Sequence, residues 1–93
     1  MKLELSENKG ERIWGCSKHS IEQFLERDKF CKGYREAIVT MLKMIEKANF
    51  VTYDFKHNSD IYHYKNWVFV CKESTVVTIY PAKTSKWVHL LKL

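Results

Sequence analysis

Near residue 50 the spacing of apolar residues changes from one helical turn to two residues, and this change limits what the chain can fold into. Before it, Ala37, Ile38, Met41, Leu42, Ile45 and Ala48 recur at helical spacing. They form one apolar stripe on a helix running from residue 34 to about residue 48. After it, Val51, Tyr53 and Phe55 alternate with Thr52, Asp54 and Lys56. That is the pattern of a strand with one buried face. Residues 57–60 carry turn chemistry, and residues 61–64 read as a second strand. Lys65-Asn66 reads as a kink or tight turn. Residues 67–71 are apolar almost throughout, as in a central strand. Residues 72–74 are a further turn, and residues 75–80 a β-branched strand that Pro81 ends. The segment from Trp87 to Leu91 fits an edge strand or a short helix.

Ahead of the long helix, Ser17 reads as an N-cap, its hydroxyl able to accept from an orphan amide of the first turn. A first helix follows over residues 18 to about 29, with Ile21, Phe24 and Leu25 as its core face. Gly33 separates the two helices. Residues 1–6 alternate Leu3 and Leu5 with polar neighbours, residues 7–10 suit a turn, and residues 12–16 can return as the second arm of a hairpin. The expected fold is therefore α+β. An N-terminal hairpin or strand and two helices pack on a C-terminal antiparallel sheet of three to four strands.

Ninety-three residues allow one core, hence a single domain spanning 1–93. Thirteen aromatic side chains give that core large buried area. The net charge of +5 and pI near 9.2 favour an anionic partner such as nucleic acid or a membrane surface, though solubility alone can account for such an excess. Cys16, Cys31 and Cys71 are odd in number and form no CxxC pair, which argues against a disulfide framework and against a zinc site. The charged first eight residues lack a signal-peptide core, and no apolar run is long enough to span a bilayer. A cytoplasmic protein with no membrane association is expected.

The sequence has no P-loop, GxGxxG, HExxH or GxSxG motif. No cofactor and no metal is expected. Its His, Arg, Lys, Tyr and Thr residues suit one reaction in particular, RNA cleavage by the neighbouring 2′-hydroxyl. That reaction needs a base, an acid and cations beside the phosphate, and the RNA supplies the nucleophile.

His19 lies in the first turn of the first helix, about 200° around the axis from Ile21 and off its apolar face. An exposed or capping histidine fits the same position. Arg27 lies two turns on, about 12 Å along the axis, where its side chain can reach a phosphate shared with His19. It equally fits a solvated arginine favoured by the helix dipole. Thr78 and Tyr80 share a face of the last strand with Val76 and can bind phosphate or orient a base, or can simply pack. Tyr62 and Tyr64 share a face near Lys65, an arrangement that can stack bases or serve as cross-strand packing. His57, in a turn, reads as solvated, and His89 gives no signal.

The segment from Ser17 to Arg27 (SKHSIEQFLER) resembles the opening helix of a family of small domains found in phages, mobile elements and toxin cassettes. That helix typically reads His-Ala-x-x-Arg-Met-x-x-Arg. The run from Ile61-Tyr62-His63-Tyr64 through Trp67-Val68-Phe69-Val70 to Val76-Val77-Thr78-Ile79-Tyr80 is similar to the same family's strands. The family is grouped with the RelE-like and barnase-like fold, whose members are mostly ribonuclease toxins. The resemblance covers about two-thirds of the chain and implies His19, Arg27 and Tyr80 as catalytic residues, with Thr78 beside them. It also implies an antitoxin or immunity protein as partner. Gln23 stands where the family has its first arginine, so Arg12, Arg35 or a lysine must replace that cation, or activity is lost. The expected function is a small metal-independent ribonuclease. The alternative is a non-catalytic nucleic-acid-binding or protein-interaction domain on the same scaffold.

Overall fold

Ser17 sets the first element by two bonds at once. Its Oγ accepts from the Ser20 backbone N–H at 3.1 Å and donates to the Val77 carbonyl at 3.0 Å. The first is the N-cap bond, and the second ties the helix start to the last strand, sixty residues away. The computed structural model describes residues 13–92 of the chain. The strand expected over residues 1–6, the turn at 7–10 and Arg12 lie outside the described residues.

The described chain runs β1 (Gly15–Cys16), α1 (Lys18–Arg27), α2 (Tyr34–Lys47), β2 (Asn49–Asp54), β3 (Ser59–Tyr64), β4 (Trp67–Lys72) and β5 (Thr75–Pro81). Two 3₁₀ turns follow, Ala82–Thr84 and Val88–Leu90. Helix α1 stops two residues before its expected end. The Asp28 N–H still reaches the Phe24 carbonyl at 2.8 Å, but Asp28 is extended and its carboxylate takes the Phe30 N–H at 2.8 Å. A short acidic side chain that bonds nearby backbone competes with the helix in this way. Of the two readings of the Trp87–Leu91 segment, the short helix holds: it contains a single 3₁₀ turn and no strand.

The five strands lie in the order β1-β5-β4-β3-β2. From β2 to β5 they form an antiparallel meander, with β4 at the centre of the sheet. Two-residue loops join β3 to β4 and β4 to β5. Glu73 and Ser74 are both left-handed, at φ 49° and 65°. Such a pair gives the hairpin twist that matches twisted strands. The four-stranded meander agrees with expectation. The fifth strand differs: β1 pairs in parallel with β5, Gly15 opposite Thr75 and Cys16 opposite Val76. The described part of the expected hairpin arm therefore pairs with the C-terminal strand. Two residues are too few to show a period, and their partner lies far along the chain.

The sheet has two unlike faces. On one, Ile21 and Phe24 of α1 and Ala37, Met41 and Ile45 of α2 pack on Tyr62, Phe69, Val76 and Ile79. Phe24 meets Trp67 edge-on, with ring centroids 5.1 Å apart. Among the described residues, the opposite face carries no helix longer than a turn. Ile61, Val68 and Val70 are covered there by Ala82 and Trp87 of the C-terminal segment.

Cys16 lies between sheet and helices, and burial pushes its thiol up to about 11 from an ordinary 9.0. The thiolate is the nucleophile, so at mildly alkaline pH Cys16 should alkylate about 100-fold more slowly than a free cysteine. A time course of iodoacetamide labelling read by peptide mass spectrometry checks this. Labelling of native Cys16 at the free-thiol rate would show that the β1–α1 junction opens.

Candidate functional site

Because α1 and α2 occupy one face of the sheet, the concavity of interest lies on the other. Pro81 ends β5 and turns the chain onto that face, where the Ala82 N–H donates to the Asn66 carbonyl at 2.7 Å. Ser85 is buried and donates back to the Ala82 carbonyl at 3.0 Å. Trp87 then lies against Tyr80, with ring centroids 6.1 Å apart and planes tilted by 45°. The segment thus forms a strap over the sheet. Between the strap, the β2–β3 turn and strands β4 and β5 lies a groove of about 530 Å³. Val70 and Val77 contribute apolar lining, while Lys72, Thr78, Tyr80, Ser85 and Lys86 contribute polar lining.

The β2–β3 turn adds the groove's most organised group. Asp54 ends β2, and its Oδ1 accepts the Lys56 N–H at 3.1 Å, which fixes the carboxylate. Its Oδ2 lies 3.0 Å from His57 Nδ1 and 3.7 Å from Lys86 Nζ. The Asp54 side chain is only 12% exposed, whereas His57 is 54% exposed and Lys86 60%. The bond to His57 is the main cause holding the Asp54 carboxyl below its ordinary value of 3.8; burial works against it, and Lys86 adds to the lowering. An ionised carboxylate can only accept, so the proton of a neutral His57 ring belongs on Nδ1. Nε2 is then left as a free acceptor. Lys86 Nζ also lies 5.0 Å from the Trp87 ring centroid, which joins this cluster to the strap. A charged clasp therefore runs from the strap to β2, at the opposite edge of the meander from β5.

The residues expected from sequence are distributed over several places. Tyr80 and Thr78 line the groove. His19 and Arg27 do not; they lie on α1 with Gln23 at successive four-residue steps, on one stripe of the helix. His19 is exposed. That stripe runs along the part of the β5 edge that β1 is too short to pair. There, Arg27 Nη1 donates to the Ile79 carbonyl at 3.0 Å, and Gln23 Oε1 accepts the Ile79 N–H at 3.1 Å. The Thr78 hydroxyl also donates to Gln23 Oε1. With the Ser17 bond to Val77, side chains of the α1 region take the place of a neighbouring strand. Tyr62 is 7% exposed and packs edge-on to Trp14 and Phe50 on the helix side. Tyr64 packs against the same core, with Lys65 Nζ 5.3 Å from its ring centroid. Arg35 is exposed on α2.

Sequence reasoning missed His57, Asp54, Lys72, Lys86 and Ser85. One signal was available for the first pair: an Asp three residues before a His in a turn can bond to it. Nothing local places Lys86 beside them, because that contact depends on the path of the strap. Among the described residues no group of three His, Cys, Asp or Glu side chains comes together to hold a metal ion. No described helix is long and apolar enough to cross a membrane.

Fold and groove together define a class: a basic α+β domain with helices on one sheet face and a strapped, cation-lined groove on the other. No family model matches the chain, and no curated protein or solved structure matches it either.

Proposed function

We propose that this protein is a small endoribonuclease that binds RNA in the groove and cleaves it by attack of the 2′-hydroxyl, without a metal ion. The observation that carries the reading is the composition of the groove. An accessible imidazole, two lysines and the Tyr80 hydroxyl line one concavity large enough for a nucleotide. These are the groups that 2′-hydroxyl attack requires: a proton acceptor, cations for the charge that builds on phosphate, and donors to hold its oxygens. The net charge of +5 supports a polyanionic substrate. In this reading the protein works in the cytoplasm, where RNA is at hand, and a protein that covers the groove would act as its antitoxin.

One observation favours a second reading, a non-catalytic RNA-binding domain. Arg27 and Thr78, which the family resemblance implies at the reactive centre, are both engaged in closing the β5 edge.

The test is incubation of the protein with total RNA in EDTA, beside Tyr80→Phe, His19→Ala and the double variant Lys72→Ala/Lys86→Ala. Wild type should cleave, and the double variant should lose binding, with a shallower salt dependence by about two counterions. Binding without cleavage at low salt would favour the second reading. A lysine pair without effect on binding would remove the groove as the RNA site.

A further inference from the structure

We propose that His57 is the group that takes the 2′-hydroxyl proton, with Asp54 as the residue that positions its ring and Lys86 as the cation facing the phosphate. This inference rests on the ribonuclease reading and names the chemistry of the same groove.

Three observations carry it. The first is access. His57 is more than half exposed and borders the groove, while its partner Asp54 is almost enclosed. A reactive base needs an open face and a fixed back, and this pair has both. The second is orientation. Asp54 is itself held by the Lys56 N–H on one oxygen and meets His57 Nδ1 on the other. The ring is therefore held with Nδ1 against the carboxylate and Nε2 as the nitrogen available to a ligand. The third is charge. Lys86 stands 3.7 Å from the same carboxylate oxygen and keeps 60% of its side chain exposed. Its ammonium can remain near Asp54 while meeting a phosphate oxygen, and Lys72 lines the same groove as a further cation.

The step balances without a further reactant. Nε2 of His57 takes the 2′-hydroxyl proton as the 2′-oxygen bonds to phosphorus. The bond from phosphorus to the 5′-oxygen breaks, leaving a 2′,3′-cyclic phosphate. The departing 5′-oxygen takes a proton from water in the open groove. The hydroxide so formed takes the proton from His57, which restores the neutral ring. Lys86 offsets the negative charge that builds on the non-bridging oxygens during the exchange.

The experiment uses the full chain, a mixed-sequence single-stranded oligoribonucleotide in EDTA, and the same oligonucleotide with 2′-O-methyl riboses as an uncleavable binding probe. Wild type should give 2′,3′-cyclic phosphate and 5′-hydroxyl ends. His57→Ala should cleave at least about 100-fold more slowly while binding the methylated probe as tightly as wild type. Added imidazole should restore cleavage to His57→Gly, which a purely structural histidine would not allow. Asp54→Asn should lower kcat with little change in KM.

Cleavage by His57→Ala at the wild-type rate would overturn the assignment and leave the ribonuclease reading standing. So would loss of cleavage in His57→Gly that imidazole does not restore, in a protein that still binds the probe. Ends carrying a 5′-phosphate would rule out 2′-hydroxyl attack, and with it both the proposed cleavage chemistry and this assignment. A wild type that binds the methylated probe but cleaves nothing would overturn the ribonuclease reading, and this assignment with it.

Discussion

Phe24→Ala is expected to cost about 3–5 kcal/mol of folding stability, the usual range for removing a large aromatic from a closed core. Phe24 has no exposed surface and its ring meets Trp67 edge-on, so its loss leaves a cavity between α1 and the sheet. A domain of this size holds only about 5–14 kcal/mol in all, so the variant should sit near its unfolding threshold. The measurement is urea unfolding followed by circular dichroism, with the midpoint falling and the slope unchanged. Phe30→Ala is the natural comparison. Phe30 is 87% exposed just beyond the end of α1, and its removal should change stability by less than about 0.5 kcal/mol. Equal losses in the two variants would show that α1 does not pack as described.

Gln23→Arg is expected to destabilise the protein by about 1–3 kcal/mol, although arginine is what the resembling family carries there. Gln23 Oε1 accepts from the Ile79 N–H and from the Thr78 hydroxyl. Arginine has no acceptor, so both donors on the β5 edge would lose their partner. The new guanidinium would also stand one helical turn from Arg27, whose own donor already serves the Ile79 carbonyl. At the midpoint, each 1 kcal/mol corresponds to roughly 4–8 °C in Tm for a domain of this size. Gln23→Glu keeps an acceptor and should stay closer to wild type. Amide exchange at Ile79 gives the local readout: it should quicken in Gln23→Arg and hold in Gln23→Glu. An arginine variant as stable as wild type, with slow exchange at Ile79, would show that the α1 stripe does not close the edge. Gln23 therefore has a structural role at the β5 edge that an arginine cannot fill.

Much of the fold was legible because its signals are local. The stripe Ala37, Met41, Ile45 and Ala48 is fully buried, as a helical period with one apolar face requires. The unbroken apolar run from Val68 to Cys71 lies in the central strand, covered on both faces. Ser17 caps α1 through its hydroxyl. The candidate site was less legible. Tyr80 and Thr78 line the groove with Val77, but Val76, which plain alternation puts on their face, packs on the helix side, because β5 shifts register at Val77. From its turn setting alone, His57 reads as a solvated residue. Exposure is indeed its state, but its meaning comes from Asp54 and from Lys86 in the strap.

The amino-acid sequence by itself determined which segments are helix and which are strand, which faces are apolar, and that the molecule is basic. These follow from period, capping and composition, all written within a few residues of one another. Only the tertiary structure decided that β1 joins β5 in parallel and that α1 completes the β5 edge with Ser17, Gln23 and Arg27. It alone decided that the C-terminal segment crosses the face opposite α1 and α2 to bring Lys86 to Asp54. Those contacts join residues separated by thirty to sixty positions. Their formation depends on how closing the chain sets packing against entropy, and no local pattern encodes that balance.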